Sequence, residues 1–144
     1  MSDRTPTELA QVAQHVEDLD RAVAFYRDVL GCRLLARFDP PGLAFFALGS
    51  VRLLLERAAP PALVYLRVDD VSATVERLRE LGVQVESEPH VIFNDVDGTF
   101  GPPGEQEVMA FVRDSEGNLL GLAARARPPD AGSTAGGDPP TVQG

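Results

Sequence analysis

Cysteine occurs once in the 144 residues, at Cys32, so neither an internal disulfide framework nor a cysteine-based zinc cluster can form. Lysine does not occur. All 13 basic residues are arginine, against 22 Asp and Glu, for a formal net charge of −9. That average field repels polyanions, and no basic run offsets it, which argues against nucleic acid as a partner. Long hydrophobic runs are missing too. Val51–Leu55, Leu63–Leu66 and Leu119–Ala124 fall far short of the roughly 20 residues that span a bilayer, so no membrane association is expected. The start, Met1-Ser-Asp-Arg-Thr-Pro, has no apolar h-region. A cytoplasmic location without a secretory signal is the expectation. No Walker loop, dinucleotide fingerprint, zinc-protease helix or nucleophile elbow is present. What remains is an ordinary globular composition, 44% apolar and 24% charged.

Residues 128–144 are dominated by Pro, Gly, Ala, Asp, Ser and Thr. Such a stretch buries too little apolar surface to offset the entropy of ordering, and it reads as a disordered tail. Residues 1–7 read as a flexible N-terminus. The body, 8–127, reads as one domain containing two related modules at about 9–58 and 62–124. In the first module an alternating stretch from Gln11 leads to Asp18, a helical pattern and Gly31. In the second, Leu63–Val68 leads to Asp70, a helical pattern and Gly82. Each Asp suits an N-cap and each Gly a C-terminal stop, and caps and stops keep almost the same spacing in both halves. The apolar faces are Ala22, Phe25, Tyr26, Val29 and Leu30 in one helix, and Val71, Val75, Leu78 and Leu81 in the other. Three strands joined by turns follow each helix. The expected fold is α+β: two βαβββ modules forming a cupped eight-stranded mixed sheet, with helices on the outer face.

Val16-Glu-Asp-Leu-Asp-Arg-Ala-Val-Ala-Phe-Tyr-Arg-Asp-Val-Leu-Gly31 resembles the first-helix signature of the vicinal oxygen chelate superfamily, which includes glyoxalases, bleomycin-resistance proteins and extradiol dioxygenases. Arg113-Asp-Ser-Glu-Gly-Asn-Leu-Leu-Gly-Leu122 is similar to its terminal hairpin, with Ser115 where Pro is usual. The similarity covers about Leu9 to Ala124. It implies the fold more closely than the function, because the superfamily holds metal-dependent enzymes beside metal-free binding proteins. Metal-using members take a ligand from the first and last strands of each half. By that resemblance the positions fall on Gln11 and Glu56 (or Leu54, two residues earlier), then on Leu63 and Gly121, which offer no donor atom. A narrower glyoxalase-like set has Gln at the first position, a Glu-Pro-His segment and a later Met-Ala-Phe-Phe-Arg-Asp run. Here these are matched by Gln11, Glu88-Pro89-His90 and Met109–Asp114, with the preceding acidic residue matched by Glu107, or by Gln106 in a stricter alignment. The resemblance also implies a homodimer.

Strand alternation supplies a separate reading of the cup. With Val12 and Val16 toward the helices, Gln11, Ala13 and His15 face inward. With Val51, Leu53 and Leu55 toward the core, Arg52, Leu54 and Glu56 face inward. Leu63, Tyr65 and Arg67 follow in the second module. Gln11, Glu56 and His90 are the metal-ligand candidates, suiting Fe, Mn, Ni, Co or Zn. Glu107 and His15 are the candidate catalytic bases. Arg52, Arg67, Tyr65 and Phe100 are candidate substrate contacts: the guanidinium groups for a carboxylate or phosphate, unless they serve in structural ion pairs, and Tyr65 for stacking or donation. Val83–Ser87 reads as a strand, followed by a long polar loop before Glu107–Arg113; the Phe93–Gln106 part of that loop is either a lid over the cup or a variable hairpin. Its Asp95-x-Asp97-Gly98 spacing lacks the terminal Glu of a calcium loop.

Two functions follow. The first, slightly favoured because Gln11, Glu56 and His90 are all present, is a metal-dependent isomerase or lyase acting on a small oxygenated or carbonyl substrate. The second is a metal-free protein that sequesters an antibiotic or aromatic metabolite, favoured by Leu63 and Gly121 at ligand positions. The expected partner in both is a small molecule.

Overall fold

The computed structural model describes residues 6–128. The expected tail beyond Pro128 and the first five residues of the expected flexible N-terminus lie outside the described residues. In chain order the elements are β1 (Gln11–His15), α1 (Leu19–Ala24), β2 (Arg33–Phe38), β3 (Leu43–Leu48), β4 (Val51–Glu56), β5 (Val64–Arg67), α2 (Val71–Glu80), β6 (Val85–Asp95), β7 (Glu105–Arg113) and β8 (Leu119–Ala126). They form two four-stranded mixed sheets, ordered β1-β4-β3-β2 and β5-β8-β7-β6. The first strand of each module pairs parallel with its last, and the other pairings are antiparallel. This is the expected pair of βαβββ modules.

Both helices start where the sequence places them. Asp18 accepts a hydrogen bond from the Arg21 N–H at 3.0 Å, and Asp70 accepts one from the Ala73 N–H at 3.0 Å. Each cap satisfies a donor with no partner inside its helix. Gly31 and Gly82 adopt φ of +81° and +88°, a conformation that penalises any Cβ, which is why the turns out of both helices fall there. After Ala24, α1 widens into a π-helical turn over Phe25–Val29. That turn keeps both Phe25 and Tyr26 buried.

One apolar cluster runs through both modules. Ala22 and Tyr26 join Phe46, Leu53 and Leu55 of the first module to Val71, Val75 and Leu78 of α2 and to Val112, Leu120 and Leu122 of the second sheet. Burying each large side chain contributes about 1.5–3 kcal/mol, so neither half can give up the other's surface cheaply. Leu81 departs from the expected face. It caps α2 beyond the last turn and is exposed.

The larger correction concerns the expected loop between Ser87 and Glu107. Here β6 runs to Asp95 and β7 begins at Glu105, leaving only residues 96–104 as loop. Pro89 disguised the strand. It lies on the edge strand β6, beside a register shift between Ser87 and His90, where a missing N–H costs no ladder bond. No helix among the described residues is long and apolar enough to cross a membrane.

Candidate functional site

The edge strands β1 and β5 leave a pocket of about 550 Å³ at the seam between the modules. Leu9, Val12, Leu48, Gly49 and Val51–Leu53 line it from the first module, and Leu63–Arg67 from the second. Its wall is mostly apolar, and the charged side chains on it are Arg52 and Arg67. The pairing of β1 with β4 sets Gln11 opposite Arg52, and the Arg52 Nε–H donates to Gln11 Oε1 at 2.9 Å. Arg67 Nη1 lies 3.6 Å from a Glu107 carboxylate oxygen.

Tyr65 is half-exposed and lies over Gly121, its register partner on β8. A Cβ built at Gly121 would stand 2.5 Å from Tyr65 Cδ2, so the ring occupies the space that any side chain there would need. Phe111 meets the same ring edge-on, with centroids 5.9 Å apart. Such a pair is worth about 0.5–1.5 kcal/mol beyond its buried area.

His15 sits at the far end of β1, opposite Glu56. Its Nδ1 lies 2.9 Å from the Arg57 carbonyl and 3.0 Å from that of Ala59, while Nε2 lies 2.7 Å from Glu17 Oε2. The Glu17 carboxylate, helped by both carbonyls, raises the His15 pKa above its ordinary value against the opposing effect of burial. Both ring nitrogens are therefore engaged, and the imidazole ties the β4–β5 connection to β1.

Glu107 is buried on β7, with Arg67 Nη1 at 3.6 Å on one side and Arg125 Nη1 at 3.5 Å on the other. Arg125 also donates to Asp95 Oδ2 at 2.8 Å, to Glu105 Oε1 at 3.1 Å and to the Pro102 carbonyl at 3.2 Å. Asp95 in turn accepts from the Thr99 and Phe100 N–H groups. Burial opposes ionisation of Asp95, but those two N–H groups and Arg125 outweigh it and lower its pKa. The loop is thus fastened to the sheet at its base. Phe100 stays 73% exposed, with its ring 5.5 Å from Phe93. His90 is on the outer strand β6, opposite Met109, and its Nδ1 meets the Glu88 carbonyl at 2.8 Å.

The candidate metal ligands are therefore dispersed within one chain. Gln11 and Glu56 lie at opposite ends of the β1–β4 pairing, His90 lies on the outer strand of the other sheet, and Gln11 Oε1 already accepts from Arg52. Among the described residues, no three His, Cys, Asp or Glu side chains are grouped to hold a metal. The second module adds none at Leu63 or Gly121, and Tyr65 fills the space at the latter. Within one chain, Gln11, Glu56 and His90 thus do not converge on a shared metal position.

The closing hairpin makes the opposite case for kinship. Asp114, Glu116 and Asn118 all reach back to the first module, with Asn118 Nδ2 donating to the His15 carbonyl at 2.8 Å. The family model that matches residues 8–122 is that of the Glyoxalase/Bleomycin resistance protein/Dioxygenase superfamily. The chain belongs to this superfamily. A curated member, a lactoylglutathione lyase of Haemophilus influenzae, is 34% identical over 124 residues, covering 71% of this chain and 81% of its own. Among solved structures, a lactoylglutathione lyase from Agrobacterium tumefaciens superposes with a TM-score of 0.62 at 26% identity, covering 84% of this chain and 96% of that one. TnmS3, an antibiotic-binding protein from a Streptomyces species, superposes at 0.61 with 27% identity, covering 84% and 98%. The superfamily thus places both an enzyme and a binding protein at comparable distance from this chain.

Several residues of the site escaped the sequence reading. Gln14 is completely buried: its Nε2 donates to the Ala62 carbonyl at 2.7 Å and its Oε1 accepts from the Ala62 N–H at 3.0 Å, pinning the linker before β5. Its position between Val12 and Val16 on the core-facing side of β1 was the available signal. Arg125 and the pocket residues Leu9 and Leu48 carried no local signal, since their roles depend on contacts distant in the chain.

Proposed function

We propose that this superfamily member binds a small organic molecule in the seam pocket, with recognition carried by apolar and aromatic contacts rather than by a glyoxalase-type metal. The observation that carries this reading is the Tyr65 ring over Gly121. The resemblance puts a metal-ligand position at Gly121, and here the Tyr65 ring that covers it lines the pocket instead. A pocket of about 550 Å³ with few polar groups is of the size and character that enclose small ligands. The test is to purify the protein without chelator, determine metal per chain, and follow ligand-induced thermal shifts with and without EDTA. Metal well below stoichiometric, with shifts that EDTA leaves unchanged and ligand recovered intact, is the expected result.

A second reading is favoured by the 34% identity to a curated lactoylglutathione lyase. On it the protein is a metal-dependent lyase or isomerase, with Gln11, Glu56 and His90 as the candidate ligands and Glu107 or His15 as base. One transition metal per chain, lost together with turnover on chelation and in His90→Ala, would replace the first reading with the second.

A further inference from the structure

The arginines of this acidic chain are mostly neutralised in place. Arg21 pairs with Glu116, Arg37 with Asp20 and Asp39, Arg79 with Glu88, Arg113 with Glu86, and Arg125 with Asp95 and Glu105. On the pocket wall, Arg67 has Glu107 within 3.6 Å. Arg52 differs. Its partner is the neutral Gln11 amide, which takes the Nε–H, and among the described residues no carboxylate lies within ion-pair distance of it; the same holds for Arg33, Arg77 and Arg127, but none of these lines the pocket. With its Nε–H directed to Gln11 Oε1, the planar guanidinium turns its Nη groups away from that bond, and such a fork suits bidentate recognition of an oxyanion. The rest of the wall, including Leu48, Val51, Leu63 and Val64, is apolar. Arg52 is thus the cation on the apolar pocket wall that has no carboxylate beside it.

We propose that the pocket takes an amphipathic monoanion: an apolar or aromatic body carrying one oxyanion group, the body against Tyr65 and Leu63 and the oxyanion on the Arg52 Nη atoms. Gln11 acts as a positioning residue that holds the guanidinium in plane. This inference rests on the proposed pocket function and adds the ligand class to it.

Two fluorescent probes share an arylaminonaphthalene body and differ in charge: 1-anilinonaphthalene-8-sulfonate and neutral N-phenyl-1-naphthylamine. Titrated into the folded full chain, the sulfonate should bind about 10-fold more tightly than the neutral probe, the scale of a charge-assisted hydrogen bond. Arg52→Gln should remove that advantage and leave the neutral probe unchanged. Arg52→Lys should restore only part of it, and Gln11→Ala should weaken the sulfonate several-fold without touching the neutral probe. Leu63→Trp, which fills the pocket from a half-exposed position, should weaken both probes. Equal binding of the two probes, or an equal loss of both in Arg52→Gln, overturns the anion inference while the pocket reading stands. Binding of neither probe, or binding indifferent to Leu63→Trp, overturns the pocket reading and the inference together. Circular dichroism of each variant verifies that the fold is intact.

Discussion

The Tyr26 hydroxyl donates to Asp114 Oδ2 at 2.6 Å, joining the first module's helical segment to the second module's closing hairpin. Asp114 is buried and fully used. Its Oδ1 accepts from the Glu116 and Asn118 N–H groups, and its Oδ2 also accepts from the Asn118 amide. Beside it, Glu116 accepts from the Glu17 and Asp18 N–H groups and from Arg21. The Asp-Ser-Glu-Gly-Asn segment therefore acts as a clamp between the halves.

Removing the Tyr26 hydroxyl leaves a buried carboxylate oxygen short of one donor. Tyr26→Phe should lower stability by about 1–2 kcal/mol in urea unfolding. Asp114→Ala, which orphans several donors at once, should cost at least about 2 kcal/mol more than that. Equal losses in the two variants would mean that the other Asp114 bonds add no stability beyond the one from Tyr26.

Acid should weaken the same clamp. Burial opposes ionisation of Glu116, yet Arg21, the Asp18 and Glu17 N–H groups and the Ser115 hydroxyl hold its pKa at about 2, below the ordinary 4.5. A group whose folded pKa is depressed contributes stability above its unfolded pKa and loses it as pH falls through the folded one. Wild-type stability should therefore decline between about pH 4.5 and about pH 2, and Glu116→Gln should flatten that limb. An unchanged acid limb in the variant would remove Glu116 as its cause.

His15 acts in the other direction. Its pKa is raised, chiefly by Glu17, so its contribution is complete below 6.5 and is lost as pH rises through the folded value. Titration of the ring by NMR should show a midpoint above 6.5 that returns toward it in Glu17→Gln. A midpoint insensitive to Glu17 would place the cause elsewhere.

Gly121→Ala brings a Cβ to 2.5 Å from the Tyr65 ring. The ring must swing away, at a cost of about 1–3 kcal/mol where neighbours resist. Tyr65→Ala should suppress most of that cost, so the double mutant should be less destabilised than the sum of the single changes. Additivity would show that the two residues do not share this space in solution.

Arg125 fastens the 96–104 loop through Asp95 and the Pro102 carbonyl. Arg125→Gln should speed hydrogen exchange at the Thr99 and Phe100 amides, which Asp95 holds, while amides of α2 keep their protection. Faster exchange throughout the domain would instead mark Arg125 as a global stabiliser.

Most of the fold was legible in the chain because its signals are local. Asp18 and Asp70 cap, Gly31 and Gly82 stop, and the apolar spacing between them repeats, so each module can be read without knowing where the other lies. Period-two alternation likewise set Arg52, Tyr65 and Arg67 on one face of their strands. The extent of β6 was not legible, because Pro89 reads as a break until the strand is known to lie at a sheet edge.

The chemistry of the site depended on contacts between residues far apart in sequence. A histidine facing the cup reads as a base, and only the fold shows the Arg57 and Ala59 carbonyls and the Glu17 carboxylate already beside both ring nitrogens of His15. A glycine at a ligand position reads as an open space, but Tyr65 fills it. Two arginines facing one cup look alike in the sequence, and only the β1–β4 register gives Arg52 a neutral partner while Glu107 neutralises Arg67. By itself the sequence determined the repeated module, its caps and its acidic charge, which follow from backbone preference and composition. Tertiary structure decided which polar groups were paired in holding the modules together and left the Arg52 guanidinium on the pocket wall without a carboxylate beside it, because hydrogen bonds and ion pairs are shared out only once the two halves meet.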